Sequence, residues 1–185
     1  MKASDAWSAD ELLTRARAGE APAFAALVRR YQRTVFSIAL RMLSDRHRAE
    51  DLAQEVFLQL YRTLDTIESD THLSFWLRKV AVNRAIDRMR QESRYDGEPL
   101  SEAAAIVEQG GEDDPLLRRR MAELVAQLPP AARAVVVLRY QEDLDPTDIA
   151  STLDMSINTV KSHLKRSLTL LRARVQGTAI VEDIR

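Results

Sequence analysis

The chain has 185 residues, a formal net charge of −1, 45% hydrophobic and 30% charged residues, and no cysteine. This composition is typical of a globular protein with one medium or two small domains, and it excludes disulfides and cysteine-based zinc sites. The three histidines lie too far apart to form a familiar metal-ligand spacing. No apolar run approaches the roughly 18 residues of a membrane span, and no signal peptide is evident, so we expect a cytoplasmic protein without membrane insertion.

The first half of the chain predicts helices. Apolar residues recur at steps of three and four over residues 24–42, 50–64 and about 73–91. A polar stretch at 44–48 and a polar loop at 65–71 separate these segments. Strand-like alternation is not seen, so the pattern predicts an all-helical bundle.

Residues 92–114 differ in composition. They hold eight acidic residues against a single basic one, Arg94, together with three glycines and a proline. Such a segment buries too little apolar surface to offset its ordering entropy, which predicts a linker. We therefore expect an all-α protein of two small helical domains, residues 1–91 and 115–185, joined by an acidic linker at 92–114.

Helical periodicity returns after Pro115. One apolar stripe runs to Leu128, and Pro129-Pro130 ends that helix and starts the next. The second helix carries the β-branched run 135–137, which resembles a strand, but the proline at its start and the flanking helices favour a helix.

Residues 144–174 predict a helix-turn-helix. Asp145-Pro146-Thr147-Asp148 combines an N-cap acceptor, a first-position proline and a first-turn acid. Ile149, Ala150 and Leu153 supply its buried face. The turn is 154–156, in which Ser156 is placed to cap the second helix.

The second helix has one apolar and one polar side. No acidic residue occurs between Ile157 and Arg174, although cations are frequent there. Such a helix suits the major groove of duplex DNA, whereas the alternative is a solvated basic helix of an ordinary bundle. The predicted apolar stripe is Ile157, Val160, Leu164, Leu168, Leu171 and Val175, and the predicted DNA-binding residues are Asn158, Thr159, Lys161, Ser162, His163, Lys165 and Arg166.

Residues 128–140, 148–150 and 156–164 resemble domain 4 of bacterial RNA polymerase sigma factors of the extracytoplasmic-function (ECF) group, within the sigma-70 family. The resemblance implies that this domain reads the minus-thirty-five promoter element as duplex and meets the β flap of the polymerase. Asp154 and Asn158 stand where the family commonly has glycine. Both residue types tolerate a left-handed backbone better than other non-glycine residues, so we expect the turn to form.

Two segments of the first domain resemble sigma domain 2. Residues 49–62 are similar to the helix that docks on the β′ clamp helices, which implies a polymerase-binding strip of Asp51, Gln54, Glu55 and Leu58; the alternative is an exposed acidic face. Residues 75–90 and the loop 65–71 resemble the parts that recognise the minus-ten element and hold the melted non-template strand. The residues implied there are Glu68, Ser69, Lys79, Asn83, Arg84 and Arg88, while the neighbours of Trp76 favour core packing for that side chain.

The resemblance implies a sigma factor that binds core RNA polymerase, recognises promoter DNA and promotes its opening, with an anti-sigma factor as a further partner. The sequence shows no glycine-rich phosphate loop, His-Glu metal motif or paired nucleophile, so we expect no enzyme activity, cofactor or small-molecule substrate. The alternative is a conventional dimeric helix-turn-helix regulator, and an enzyme is a distant third reading.

Overall fold

The structure is a computed structural model that describes residues 7–95 and 115–182, with side chains over 7–92 and 116–175. Within these ranges all regular structure is helical and there is no strand, as the sequence predicted. None of the helices in this part of the chain is long and apolar enough to cross a membrane. The helices are α1 Ala9–Arg17, α2 Ala21–Leu43, α3 Arg46–Thr63, α4 Asp70–Tyr95, α5 Pro115–Ala126, α6 Pro130–Tyr140, α7 Pro146–Leu153 and α8 Ile157–Glu182, and a 3-10 turn, Leu64–Thr66, joins α3 to α4.

The first bundle is built around α2, which packs against α1, α3 and α4. Its core consists of the apolar stripes that the periodicity predicted, since Leu27, Ile38, Leu52, Leu60 and Leu77 are all essentially inaccessible to solvent. Burying one such side chain stabilises the fold by roughly 1.5–3 kcal/mol. Trp76 packs against this core, so the prediction that it serves packing is confirmed.

Helix α4 is longer than the pattern 73–91 predicted. It begins at Asp70, where the Oγ of Ser69 accepts a hydrogen bond from the His72 N–H at 3.2 Å, and it continues to Tyr95. Arg48 of α3 pairs with Glu92, which extends the helix into the predicted linker. The rest of that linker, residues 96–114, lies outside the described residues, and the division at 1–91, 92–114 and 115–185 stays a prediction.

The structure contains a helix that the sequence reading missed. Helix α1 begins with a capping box: the side chain of Ser8 accepts from the Glu11 N–H at 3.3 Å, and the Glu11 carboxylate accepts from the Ser8 N–H at 2.8 Å. These bonds hold the pKa of the Glu11 carboxyl below its usual value. Leu12 and Leu13 are buried on the first bundle. The Ser-x-x-Glu spacing ahead of two leucines was the signal available.

The second bundle is built around α6 and α8. Helix α6 packs against α5, α7 and α8, and Val135 and Val137 are fully buried, so the β-branched run is helical as predicted. A small separate cluster forms where α5, α6 and α8 meet, around Leu128, Val136 and Leu171.

The two bundles share one continuous hydrophobic core, because α6 and α7 of the second pack against α2 and α4 of the first. Polar contacts between described residues also cross this interface. Arg78 Nε donates to Glu142 Oε2 at 2.8 Å, Lys79 Nζ donates to Asp154 Oδ1 at 2.8 Å, and Arg133 Nη1 donates to the Met42 carbonyl at 2.5 Å.

Arg133 is the buried member of this set. Its side chain comes from α6 and reaches the last turn of α2, where the helix leaves carbonyl groups without intrahelical partners and carries partial negative charge. Burial lowers the pKa of the Arg133 guanidinium to about 10, so it remains a cation at neutral pH. One bundle therefore caps a helix of the other with a desolvated charge.

Candidate polymerase and nucleic-acid interfaces

The helix-turn-helix forms as its sequence predicted. The Asp145 carboxylate accepts hydrogen bonds from the N–H groups of Asp148 at 2.9 Å and Thr147 at 2.7 Å, which together hold its pKa below the usual value. Asp154 ends α7 in the left-handed region with φ +51°, and its N–H donates to the Ala150 carbonyl. Ser156 Oγ accepts from the Thr159 N–H at 3.0 Å and starts α8.

One face of α8 is polar, exposed and free of carboxylates over residues 157–174. An open depression on this face is lined by Ser162, Lys165, Arg166 and Thr169, with Leu170 and Ala173 below. The predicted DNA-binding residues Asn158, Thr159, Lys161, Ser162, Lys165 and Arg166 are exposed, and His163 is half-buried.

The apolar side of α8 was predicted correctly only in its middle. Val160 and Leu171 are buried and Leu164 and Leu168 are half-buried, but Ile157 and Val175 are each 40% exposed. The stripe is therefore packed against the bundle in the middle of α8, and the prediction was wrong at Ile157, where the helix begins, and at Val175.

The predicted minus-ten residues divide into two groups. Glu68 is exposed and Ser69 half-buried in the short loop before α4, and Lys79 and Asn83 are half-buried on α4. Lys79 is already engaged, because its ammonium pairs with Asp154 in the turn of the helix-turn-helix. A side chain predicted to contact the minus-ten element therefore pairs with the turn that precedes the predicted minus-thirty-five helix.

Arg84 and Arg88 form the second group and face α3. Arg84 donates to Glu55 at 2.8 Å and, through Nε and Nη2, to Gln59 at 3.0 and 2.7 Å. Arg88 donates to Glu55 at 2.7 Å and to the Arg48 carbonyl at 3.1 Å. Glu55, predicted to bind polymerase, thus pairs with two cations predicted to bind DNA.

The rest of the predicted polymerase strip is open to solvent. Asp51 and Gln54 are exposed, and Leu58 is 58% exposed, which is high for a leucine in the middle of a helix. Leu58 and Gln54 form one wall of a groove of about 720 Å³ between α2 and α3. Four aromatic side chains also line the groove: Phe24, Phe36, Phe57 and Tyr61.

Sequence reasoning missed the aromatic part of this groove. Tyr61 is 66% exposed, and its ring meets Phe24 of α2 edge-on at 5.2 Å between centroids. On the same rim Arg46 lies over Phe36 and pairs with Glu50 at 3.0 Å. Leu58 and Tyr61 lie three residues apart and outside the buried stripe of α3, which was the available signal.

Nothing in the described part of the chain brings three or more carboxylates and histidines together in a way that could hold a metal ion. The features with chemical character are therefore surfaces: a basic hydrogen-bonding helix face, and a groove lined by aromatic and aliphatic side chains together with Arg33, Arg46 and Glu50.

Two family models match the chain. The model Sigma-70 region 2 matches residues 27–95, which include most of α2 and all of α3 and α4. The model Sigma-70, region 4 matches residues 118–171, which include α6, α7 and the first part of α8. The two models follow each other in the order that the sequence resemblance implied.

Curated relatives agree with these matches. The ECF RNA polymerase sigma factor SigW of Bacillus subtilis is 30% identical over 171 residues, which is 85% of this chain and 91% of the relative. The ECF RNA polymerase sigma-E factor of Escherichia coli K12 is 28% identical over 178 residues, which is 89% of this chain and 93% of the relative.

Solved structures share the fold. The sigma factor RpoE of Bartonella quintana, in complex with the anti-sigma factor NepR, matches with a TM-score of 0.70 at 22% identity and covers 83% of this chain and 96% of that one. CnrH, in complex with the cytosolic domain of CnrY, matches with a TM-score of 0.66 at 22% identity and covers 92% of this chain and 99% of that one. Because both models and a 30% identical relative cover most of its length, the chain belongs to the ECF group of the sigma-70 family of RNA polymerase sigma factors.

Proposed function

We propose that this sigma factor binds core RNA polymerase, directs it to promoters and helps to open them through surfaces on both bundles. The observation that carries the proposal is that one chain of this family has two exposed surfaces suited to different partners. An acid-free, exposed face of α8 accompanies an open aromatic groove with acidic neighbours between α2 and α3.

The groove between α2 and α3 supports the polymerase contact. A partner helix can place apolar side chains against Leu58 and Tyr61, and its cations can meet Asp51, while Gln54 offers an amide. The β′ clamp helices are the proposed occupant. We add Tyr61 and Phe24, which line the same groove, to the polymerase-binding residues proposed from the sequence. Aromatic side chains often contribute much of the binding energy at such interfaces.

The two DNA contacts use different elements. Helix α8 is proposed to hold the minus-thirty-five duplex through its polar face, with Arg166 and Lys165 at phosphates and shorter side chains at base edges. The loop before α4, with Glu68 and Ser69, and α4 itself, with Asn83, are proposed to hold the melted non-template strand at the minus-ten element.

Arg84 and Arg88 are proposed to attract the strand more weakly than unpaired cations would, because Glu55 pairs with both. Lys79 contributes once it leaves Asp154. Breaking this pair costs little, because the Asp154 side chain is 71% exposed and an exposed pair of this kind contributes only ~0–1 kcal/mol.

The proposed partners are the β′ clamp helices, the β flap, promoter DNA and an anti-sigma factor, all met in the cytoplasm. In support of the last, two solved relatives of the same fold are complexes, one with an anti-sigma factor and one with the cytosolic domain of CnrY. The protein is proposed to act without covalent chemistry. A dimeric regulator that works without polymerase is not favoured, since both sigma regions are matched.

The test is binding to core RNA polymerase followed by promoter-dependent transcription with the purified proteins. We expect the wild type to bind and to initiate, and Leu58→Ala to weaken core binding about tenfold because it removes an exposed anchor from the groove. Val175→Ala, which shortens an exposed apolar side chain at the far end of α8, is the control and should bind like the wild type. A wild-type protein that neither binds core enzyme nor supports initiation overturns the proposal.

A further inference from the structure

The loop between α3 and α4 is fixed at its centre. After the 3-10 turn Leu64–Thr66, only residues 67–69 remain before α4 begins. The side chain of Ile67 is fully buried, whereas Thr66 and Glu68 on either side of it are exposed. The loop therefore presents its polar side chains outward from an apolar anchor, and their direction depends on how the first turn of α4 is held.

Helix α1 reaches this first turn from 60 residues away. The Oδ1 of Asp10 accepts a hydrogen bond from the Asp70 N–H at 3.0 Å, and α1 packs against both the 3-10 turn and α4. The Asp70 N–H is one of the helix-start donors that have no intrahelical partner. A carboxylate in this position also interacts favourably with the positive end of the helix dipole.

Helix α2 holds the same residue through its side chain. The Tyr31 hydroxyl donates to Asp70 Oδ1, and burial together with this bond raises the pKa of Tyr31 to about 12. Within the loop, the Glu68 N–H donates to His72 Nδ1 at 3.3 Å. Three hydrogen bonds thus hold the start of α4. Asp10 bonds to the Asp70 backbone, Tyr31 bonds to the Asp70 side chain, and His72 bonds to the loop at Glu68.

We infer that Asp10 is a positioning residue for the loop 67–69, and that through it α1 sets the direction in which Glu68 and Ser69 face the minus-ten strand. The inference rests on the proposed function in one respect, namely that this loop meets promoter DNA. Asp10 itself acts through the Asp70 amide and makes no contact with the strand. Its effect appears in the choice between minus-ten sequences.

The chain offers a matched control in the same helical turn. Glu11 is also an exposed acid of α1, but its carboxylate bonds to Ser8 and stabilises α1 without touching α4. Glu11→Ala removes part of the capping box and keeps the Asp10–Asp70 bond. Asp10→Ala removes that bond and keeps the capping box, while Asp10→Asn retains an acceptor oxygen at the same position.

The experiment uses holoenzyme assembled from each full-length variant and measures transcription from two promoters that differ by one base pair in the minus-ten element. We expect Asp10→Ala to change the ratio of the two rates by about threefold or more, which is part of the discrimination that one base contact provides. Asp10→Asn should restore most of the wild-type ratio, and Glu11→Ala should keep it. Hydrogen exchange at the Asp70 amide should accelerate in Asp10→Ala alone.

The outcomes separate the inference from the proposed function. If the wild type fails to initiate at any promoter, the proposed function fails. If the wild type initiates but Asp10→Ala lowers both rates equally, or leaves both unchanged, the positioning role is overturned. A ratio that shifts as far in Glu11→Ala as in Asp10→Ala also overturns it, because α1 stability would then be the cause.

Discussion

At the level of single residues, Asp154 combines a backbone and a side-chain role. It ends α7 with φ +51°, a region that costs most side chains roughly 1–2 kcal/mol and Asp or Asn less. Its carboxylate also pairs with Lys79 across the bundle interface. Asp154 stands where the family resemblance implies a glycine, and it therefore makes a side-chain contact that glycine cannot make.

We expect Asp154→Gly to change the free energy of unfolding by less than ~1 kcal/mol, because relief of the left-handed backbone offsets the loss of an exposed ion pair. Asp154→Val should lose roughly 1–2 kcal/mol, since a β-branched residue fits this backbone region poorly. Urea unfolding of the three proteins measures both changes. Equal losses in the two variants would show that the Lys79 contact, rather than the backbone, controls this position.

Arg166 lies exposed on the polar face of α8, where we propose that it contacts a phosphate. Arg166→Ala should weaken binding to minus-thirty-five duplex in the holoenzyme and reduce the slope of log K against log salt by about one. Titrations at several salt concentrations measure this slope, with Arg119→Ala of α5 as a control of equal charge change. A lower affinity with an unchanged slope would assign Arg166 to base readout instead.

At the level of elements, the start of α7 depends on an ionised cap. The folded-state pKa of Asp145 lies below its ordinary value of 3.8, so its contribution to stability is present above pH 3.8 and is lost as the pH falls through the folded pKa. Asp145→Asn keeps an acceptor oxygen but cannot titrate.

We therefore expect the wild type to melt at a higher temperature than Asp145→Asn at neutral pH, and the difference to shrink as the pH falls below 3.8. Thermal melts from pH 7 to pH 3 followed by circular dichroism measure it. A difference that stays constant over this range would mean that the charge of Asp145 contributes nothing to the cap.

The local signals explain which elements were predictable. The helix-turn-helix is predictable from a short stretch of sequence. Asp145 and Ser156 cap its two helices, and Ile149 is buried in the core beside them. The periodic stripes of α2 and α3 are equally local. Helix α1 has only a short stripe, so its position on the first bundle depends on packing that no local pattern contains.

The contact between the predicted polymerase-binding and DNA-binding residues could not be predicted from the sequence for the same reason. Glu55 and Arg88 lie 33 residues apart, and both were assigned from motif resemblance to different partners. Their contact depends on the rotation of α3 relative to α4 about a shared core. Spacing along a single helix determines which residues share its face, but not which face the next helix meets.

At the level of the whole molecule, the docked arrangement of the two bundles is too compact for the proposed simultaneous contacts with both promoter elements. The two elements are about 25 base pairs apart, or roughly 85 Å of B-form DNA. A compact chain of this length is roughly 40 Å across. The bundles must therefore separate when both elements are bound, and the Arg78–Glu142 and Lys79–Asp154 contacts must break.

The Arg78–Glu142 pair should be the stronger of the two, because its side chains are only 24% and 10% exposed. We expect Glu142→Arg to shift the free protein towards separated bundles, and Arg78→Glu together with Glu142→Arg to restore docking. Because the chain has no native cysteine, a donor and an acceptor dye can be attached through Arg17→Cys and Arg172→Cys. Energy transfer between the two dyes then reports the distance between the bundles. A double variant that stays as open as the single one would show that the pair does not hold the interface.

The buried guanidinium of Arg133 makes the docked state a reversible one. Its guanidinium loses hydration in the docked state and gains a hydrogen bond to one helix-end carbonyl among the described residues. The free energy lost by desolvating this cation offsets part of the stabilisation from apolar burial at the interface. Separation returns that charge to water and lowers the cost of opening. We therefore expect docked and separated forms to interconvert, and a partner that binds only the open form to shift the population by mass action according to its concentration and affinity.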